Sequence, residues 1–355
     1  MSRRIPVAAA LLLAGACTIQ RTPGAAAYSQ RPAVSSRMGS AAAMPGMDDH
    51  MAHMRAEDVQ APEMGPMTGA QDLSIPPSNN AAAARLKASG RHGEWVKIAY
   101  TPGSPDSLMA WVVYPFSKSA SQKAPVVVVV NEIFGLSTWV RSVADQAAAD
   151  GFIAIAPDFL SKLRGGPSTE ELRSDSATKL IRNLSAADRV NTITAAANYA
   201  MMLPSAQQRY AVIGYCWGGQ SVWMHAINGG VKGYAGGVAY YGAPYTKGGT
   251  PATATAAAVP ATVDADSLAK ITKPIMLLNG AKDARIGALM PAIDSLMKAM
   301  KKDYTGMNYD GAVHGFLRAQ NDPKAQRDEA EEAANLAAAK DAWPRTVAFL
   351  RRVLK

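Results

Sequence analysis

Cysteine is nearly absent from this sequence: Cys17 and Cys216 are the whole supply in 355 residues. Cys17 lies in the N-terminal leader, so once the leader is processed Cys216 stands alone and an intramolecular disulfide is excluded. An exported chain that keeps a single thiol in an oxidising compartment buries it or uses it. Runs of charge are absent too. The formal net charge is +9, yet the basic residues are spread along the chain and nothing resembles a nucleic-acid motif or an aromatic–basic repeat. A nucleic-acid partner is thereby excluded, and only mild attraction to anionic surfaces or substrates remains. The apolar stretch at the start, Ile5 to Leu13, is far shorter than the roughly 20 residues a membrane-spanning helix needs.

What is present at the N-terminus reads as an address. Arg3 and Arg4 precede the apolar stretch, and Ala14-Gly15-Ala16-Cys17 follows it. A basic start, a short apolar core and small residues at the cut form a secretory signal over residues 1–17. The expectation is export to the periplasm or cell surface of a bacterium. Cys17 is either lipidated, as in a lipoprotein box, or lost to ordinary signal cleavage, and the membrane is met only through such an anchor. Residues 18–90, rich in Ala, Pro, Ser, Gly and Met with few aromatic or β-branched side chains, are expected to be a disordered tether. Within it Met44, Met47, His50, Met51, His53 and Met54 cluster, with Met64 and Met67 beyond. Thioether and imidazole at this density are a copper-binding chemistry, but no fixed spacing recurs and a polar linker explains the cluster as well.

From residue 91 onward the pattern changes to alternating strands and helices. Trp95–Tyr100 and Leu108–Tyr114 predict an antiparallel hairpin, and Pro125–Val130 a strand buried on both faces. Trp139–Ala149 predicts a helix, Phe152–Ala156 a strand, Ser161–Ser185 a polar surface or lid segment, and Ala186–Met202 an amphipathic helix. Strands follow at Tyr210–Ile213, Ala235–Tyr241, Pro274–Leu278 and Thr305–Tyr309, with helices at Gln220–Ile227, Leu289–Met300 and Asp341–Lys355, and a loop at Thr246–Ala261. This alternation implies one α/β domain over residues 91–355, with a mostly parallel sheet covered by helices on both faces.

The stretch around which the domain is organised is Gly214-Tyr215-Cys216-Trp217-Gly218-Gly219, placed between a strand and a helix. That context is a nucleophile elbow with Cys in the nucleophile position. The sharp turn needs small neighbours, which Gly214 and Gly218 supply. A thiol at a helix N-terminus is drawn toward thiolate. Asp283 and His314 each follow a later strand, so the order Cys216, Asp283, His314 is nucleophile, acid, base. The other histidines compete poorly. His50 and His53 are in the tether, His92 precedes the first strand, and His225 lies within the helix after the elbow. Glu132 closes the Val-rich strand, and its loop offers the Ile133 N–H, with the Trp217 N–H, as an oxyanion hole.

Glu132-Ile133-Phe134-Gly135, the Cys216 elbow, Tyr240-Tyr241-Gly242, Gly280-Ala281-Lys282-Asp283 and His314-Gly315-Phe316 together resemble the dienelactone hydrolase family, in order and spacing. The resemblance implies an α/β-hydrolase fold and a Cys216–His314–Asp283 triad, with no cofactor and no metal. It implies a small-molecule carboxylic ester or lactone as substrate, with an anionic one suited to arginine, and an acyl-enzyme intermediate. It also implies that Glu132 keeps the thiol protonated at rest, since a nearby carboxylate disfavours thiolate, and it places Arg318 and Tyr241 at the substrate. A second substrate arginine is not singled out among Arg164, Arg173 and Arg182, and Gly315 stands where many relatives carry Ser. Thioesterase and general carboxylesterase are the neighbouring enzyme readings. An exported metal-handling protein built on the Met/His tract is the alternative from another class.

Overall fold

The computed structural model describes residues 72–355, apart from residue 102 and the stretches 117–121, 169–173, 250–258 and 321–327. The expected signal with Cys17, the Met/His tract, and the expected tether as far as residue 71 lie outside the described residues. Eight strands form the central sheet: β1 (Gly93–Ala99), β2 (Ser107–Val113), β3 (Ala124–Val130), β4 (Ile153–Pro157), β5 (Ala206–Tyr215), β6 (Tyr234–Tyr240), β7 (Ile275–Gly280) and β8 (Tyr304–Tyr309). Their order is β1-β2-β4-β3-β5-β6-β7-β8. β1 and β2 pair antiparallel, β2 meets β4 antiparallel, and every pair from β4 to β8 is parallel.

The residues explain the layering. Val126 to Val130 in β3 are all 0% exposed, as a parallel strand covered on both faces requires. The cover comes from α2 (Thr138–Ala149), α3 (Ala186–Met202), α4 (Trp217–Ile227), α5 (Ala284–Ala299) and α6 (Glu329–Val353), while α1 (Asn79–Ala88) packs on α2. α3 opens with a capping box between Ser185 and Asp188, which satisfies two of the N–H groups left over at a helix start. β3 pairs with β4 on one side and β5 on the other, so the chain order reverses there. The carboxyl ends of strands flanking such a reversal form a crevice. Glu132, Cys216, Tyr241, Asp283 and His314 follow β3, β5, β6, β7 and β8 in turn.

Four expectations need correction. The tether does not extend to residue 90. Ile75 is buried, α1 packs on α2, the Trp139 indole N–H donates to the Pro77 carbonyl at 3.0 Å, and Arg85 donates to Gln146 Oε1 at 2.7 Å. Alanines Ala81 and Ala82 let the helix sit close, so a few polar anchors do the work that large apolar side chains usually do. The last helix starts at Glu329 rather than near Asp341. Its first half buries Asn335, Ala338 and Ala339, which carry little hydrophobic signal. The polar segment after β4 is in part a buttress: Ala177 and Ile181 of a short helix, Ser174–Ile181, are buried. Buried Asp158 there accepts hydrogen bonds from the Leu160 N–H and the Ser168 hydroxyl. The expected Thr246–Ala261 loop opens on a short strand, Thr246–Lys247, that pairs with Thr262–Val263 just beyond it in a two-stranded ribbon.

Candidate active site

Cys216 joins β5 to α4 with φ 57° and ψ −116°, a left-handed backbone that costs a non-glycine residue about 1–3 kcal/mol. The glycines around it make the strain possible. A Cβ on Gly214 would strike the Gly218 carbonyl, one on Gly218 the backbone of Val130 and Asn131, and one on Gly219 the Tyr240 carbonyl. The Cys216 N–H is tied to the Tyr240 carbonyl at 3.0 Å. The turn is thus clamped from β3 and β6, and the thiol is held at the first turn of a helix. Trp217 is the first residue of α4, where an N–H has no acceptor within its own helix. Ile133 lies after β3 in a loop braced by Asn131 Nδ2 donating to the Glu132 carbonyl at 2.6 Å.

His314 and Asp283 are brought together from the ends of β8 and β7. Asp283 caps α5 by accepting from the Ile286 N–H at 3.2 Å, and its other oxygen accepts from His314 Nδ1 at 2.6 Å. Asn335 Oδ1 on α6 accepts the Val313 N–H at 3.0 Å, which fixes the loop that carries His314. With Nδ1 committed to Asp283, the other ring nitrogen is the one available to Cys216, which is a hydrogen-bond partner of His314. Burial works against the charge of Asp283, but the bond to His314 and its charge hold the carboxyl down at about 2. Burial likewise opposes imidazolium at His314. The interaction with Cys216 and the bond to Asp283 outweigh it and raise the ring above its ordinary value.

Glu132 is buried and its Oε2 lies 3.0 Å from Arg318 Nε. Arg318, on the short helix Phe316–Ala319 after His314, is buried as well, with its guanidinium 5.2 Å from the Phe134 ring centre. Gly315 lies between them: a Cβ there would stand 3.7 Å from Arg318 Nη2 and 4.0 Å from Glu132 Oε1. Tyr241 also carries a left-handed backbone, φ 38°. Its ring is wholly buried against His314 at 4.9 Å between centres, and its hydroxyl has no hydrogen-bond partner among the described residues. Of the three further arginines considered, Arg164 donates to the Ser168 hydroxyl at 3.1 Å, and Arg173 lies outside the described residues. Arg182 lies just past the short helix that ends at Ile181.

The profile of the dienelactone hydrolase family matches residues 112–354 of this chain. The chain belongs to the dienelactone hydrolase family. A Synechocystis protein named, provisionally, as a carboxymethylenebutenolidase is 30% identical over 237 residues, covering 65% of this chain and 87% of its own length. Carboxymethylenebutenolidase 1 of Cupriavidus pinatubonensis is 33% identical over 107 residues, 29% of this chain and 45% of that enzyme. Among solved structures, a provisionally named dienelactone hydrolase from Klebsiella pneumoniae superposes with a TM-score of 0.56 at 24% identity, covering 73% of this chain and 99% of its own. The architecture is the α/β-hydrolase fold.

Sequence reasoning passed over two polar residues of this dienelactone hydrolase family member. Asn335 carries no motif to mark it. Arg189 does carry a signal, since it occupies the apolar stripe of α3 with Ile193, Ala196, Ala197 and Ala200, all buried. It is 0% exposed, and burial pushes its guanidinium down to about 9, still charged at neutral pH. His225 is a core residue: burial pushes it down to about 3, and Nε2 is 2.8 Å from the Tyr210 hydroxyl. His92, beside Glu94 at 3.7 Å, is on the surface.

Proposed function

We propose that the protein hydrolyses small carboxylic esters or lactones through an acyl-enzyme on Cys216. The observation that carries this reading is the joint placement of a strained thiol at a helix start with a His314–Asp283 pair beside it. In the first step His314 takes the thiol proton and the sulfur adds to the ester carbonyl carbon. The carbonyl oxygen becomes an oxyanion, for which the Ile133 and Trp217 N–H groups are the donors we assign. The intermediate collapses by expelling the alkoxide, which leaves with the proton from the imidazolium, so that a thioester remains on Cys216. Water, deprotonated by His314, then adds to the thioester carbonyl, and thiolate is expelled as the acid product forms. Asp283 keeps Nδ1 protonated and stabilises the imidazolium at each stage.

Substrate recognition is assigned to Arg318 and to the Tyr241 hydroxyl. Arg318 is already engaged by Glu132 at 3.0 Å, so an anionic substrate group competes with that carboxylate for the same guanidinium. The test is a panel of neutral esters, anionic esters and lactones, and thioesters, assayed with the wild type, Cys216→Ala and His314→Ala. Ester or lactone turnover that falls by about two to four orders of magnitude in both variants supports the reading; unchanged turnover in either overturns it.

A further inference from the structure

Arg189 lies behind the nucleophile. Its Nε donates to Ser221 Oγ at 2.8 Å, its Nη1 to Gln220 Oε1 at 3.0 Å, and its Nη2 to the Trp217 carbonyl. The guanidinium also stacks 4.0 Å from the Trp217 ring centre. All of these partners belong to the opening turns of α4, the helix that begins one residue after Cys216, and all are neutral. Among the described residues no carboxylate forms an ion pair with Arg189. A cation taken wholly out of water without a counter-ion is costly. The cost is greater here, because a helix N-terminus already carries a positive partial charge.

The charged and titratable groups around this end of the site are Cys216, His314, Asp283, Glu132, Arg318, Tyr241 and Tyr245. Glu132 is matched by Arg318, and Asp283 by His314. Tyr241 and Tyr245 are both shifted toward the neutral phenol by burial. Cys216 is left as the group whose negative charge Arg189 can balance. We propose that Arg189 is a positioning residue for the reaction, its fixed charge favouring the thiolate of Cys216 and the oxyanion formed from it while its hydrogen bonds hold the first turn of α4. The inference rests on the reading of Cys216 as nucleophile.

The test uses the full-length chain. The rate of Cys216 alkylation by iodoacetamide is measured as a function of pH, with kcat and KM for a neutral ester, and thermal melting reports folding. Arg189→Met should slow alkylation at neutral pH by roughly tenfold and move the profile up by about one pH unit, the usual effect of losing one nearby opposite charge. It should lower kcat with little change in KM, and Arg189→Lys should restore most of the profile. Gln220→Glu gives an independent probe that leaves Arg189 in place: it supplies a carboxylate to the guanidinium and should slow alkylation severalfold. A folded Arg189→Met or Gln220→Glu protein with a profile superimposable on the wild type overturns the proposal, even with reduced kcat. The two readings fail separately. Full ester turnover in Cys216→Ala removes the nucleophile assignment, whereas loss of turnover on Cys216 alkylation with unmoved profiles removes only the role of Arg189.

Discussion

The Glu132–Arg318 pair is the feature whose energetics are most open to measurement. Glu132 is 2% exposed and Arg318 is 8% exposed, so removing either partner strands a charge in the interior. Breaking such a pair costs about 3–5 kcal/mol, whereas replacing both members with neutral groups of similar shape is often close to neutral. Arg318→Met and Glu132→Gln should therefore each lower the melting temperature by on the order of 10 °C, at about 2–4 °C per kcal/mol for a domain of this size. The double variant should recover most of that loss, giving a coupling energy of at least about 2 kcal/mol in a double-mutant cycle. The same proteins carry a second readout. Arg318→Met frees the Glu132 carboxylate and should slow Cys216 alkylation at neutral pH, while Glu132→Gln frees the Arg318 cation and should speed it. Urea unfolding and iodoacetamide kinetics decide both points. Additive stability losses, or alkylation rates that move in the same direction, would refute the argument.

Two further outcomes follow from the geometry. The Asp283 carboxyl is held at about 2 against an ordinary 3.8, so it contributes stability on the order of 2 kcal/mol that is present above about pH 4 and lost as pH falls toward 2. Asp283→Asn keeps the cap on α5, so its deficit in unfolding free energy should be near that value at about pH 5 and should close in acid; a gap independent of pH contradicts the assignment. Ile75, 2% exposed, should cost about 2–3 kcal/mol when truncated to Ala if residues 72–90 are part of the fold, and an unchanged urea midpoint would show that they are not.

Much of this was legible in the sequence because the signals were local. The Val-rich β3, the paired glycines around Cys216 and the order of Cys216, Asp283 and His314 each depend on neighbours within a few positions. What stayed hidden depended on packing between distant segments. Residues 72–90 dock through alanines and a proline carbonyl, and the first half of α6 buries Asn335 and alanines, so neither shows a strong apolar stripe. Glu132 and Arg318 were each singled out, but their contact at 3.0 Å arises where the loop after β3 meets the short helix Phe316–Ala319, which no spacing encodes. Arg189 was visible in principle, as a charge on the apolar face of α3. Only the structure shows that its partners are the opening residues of the helix that follows Cys216.

The central claim is that Cys216 becomes acylated during turnover, and peptide mass spectrometry tests it most directly. The protein is mixed with a slowly deacylating ester, quenched in acid within the first turnovers, and digested. The account predicts one added acyl mass on the peptide containing Cys216, appearing before steady state and absent from Cys216→Ala, which should also lose ester turnover by at least about two orders of magnitude. An acyl group found on another residue, or a Cys216→Ala protein that hydrolyses the same ester at the wild-type rate, would contradict it.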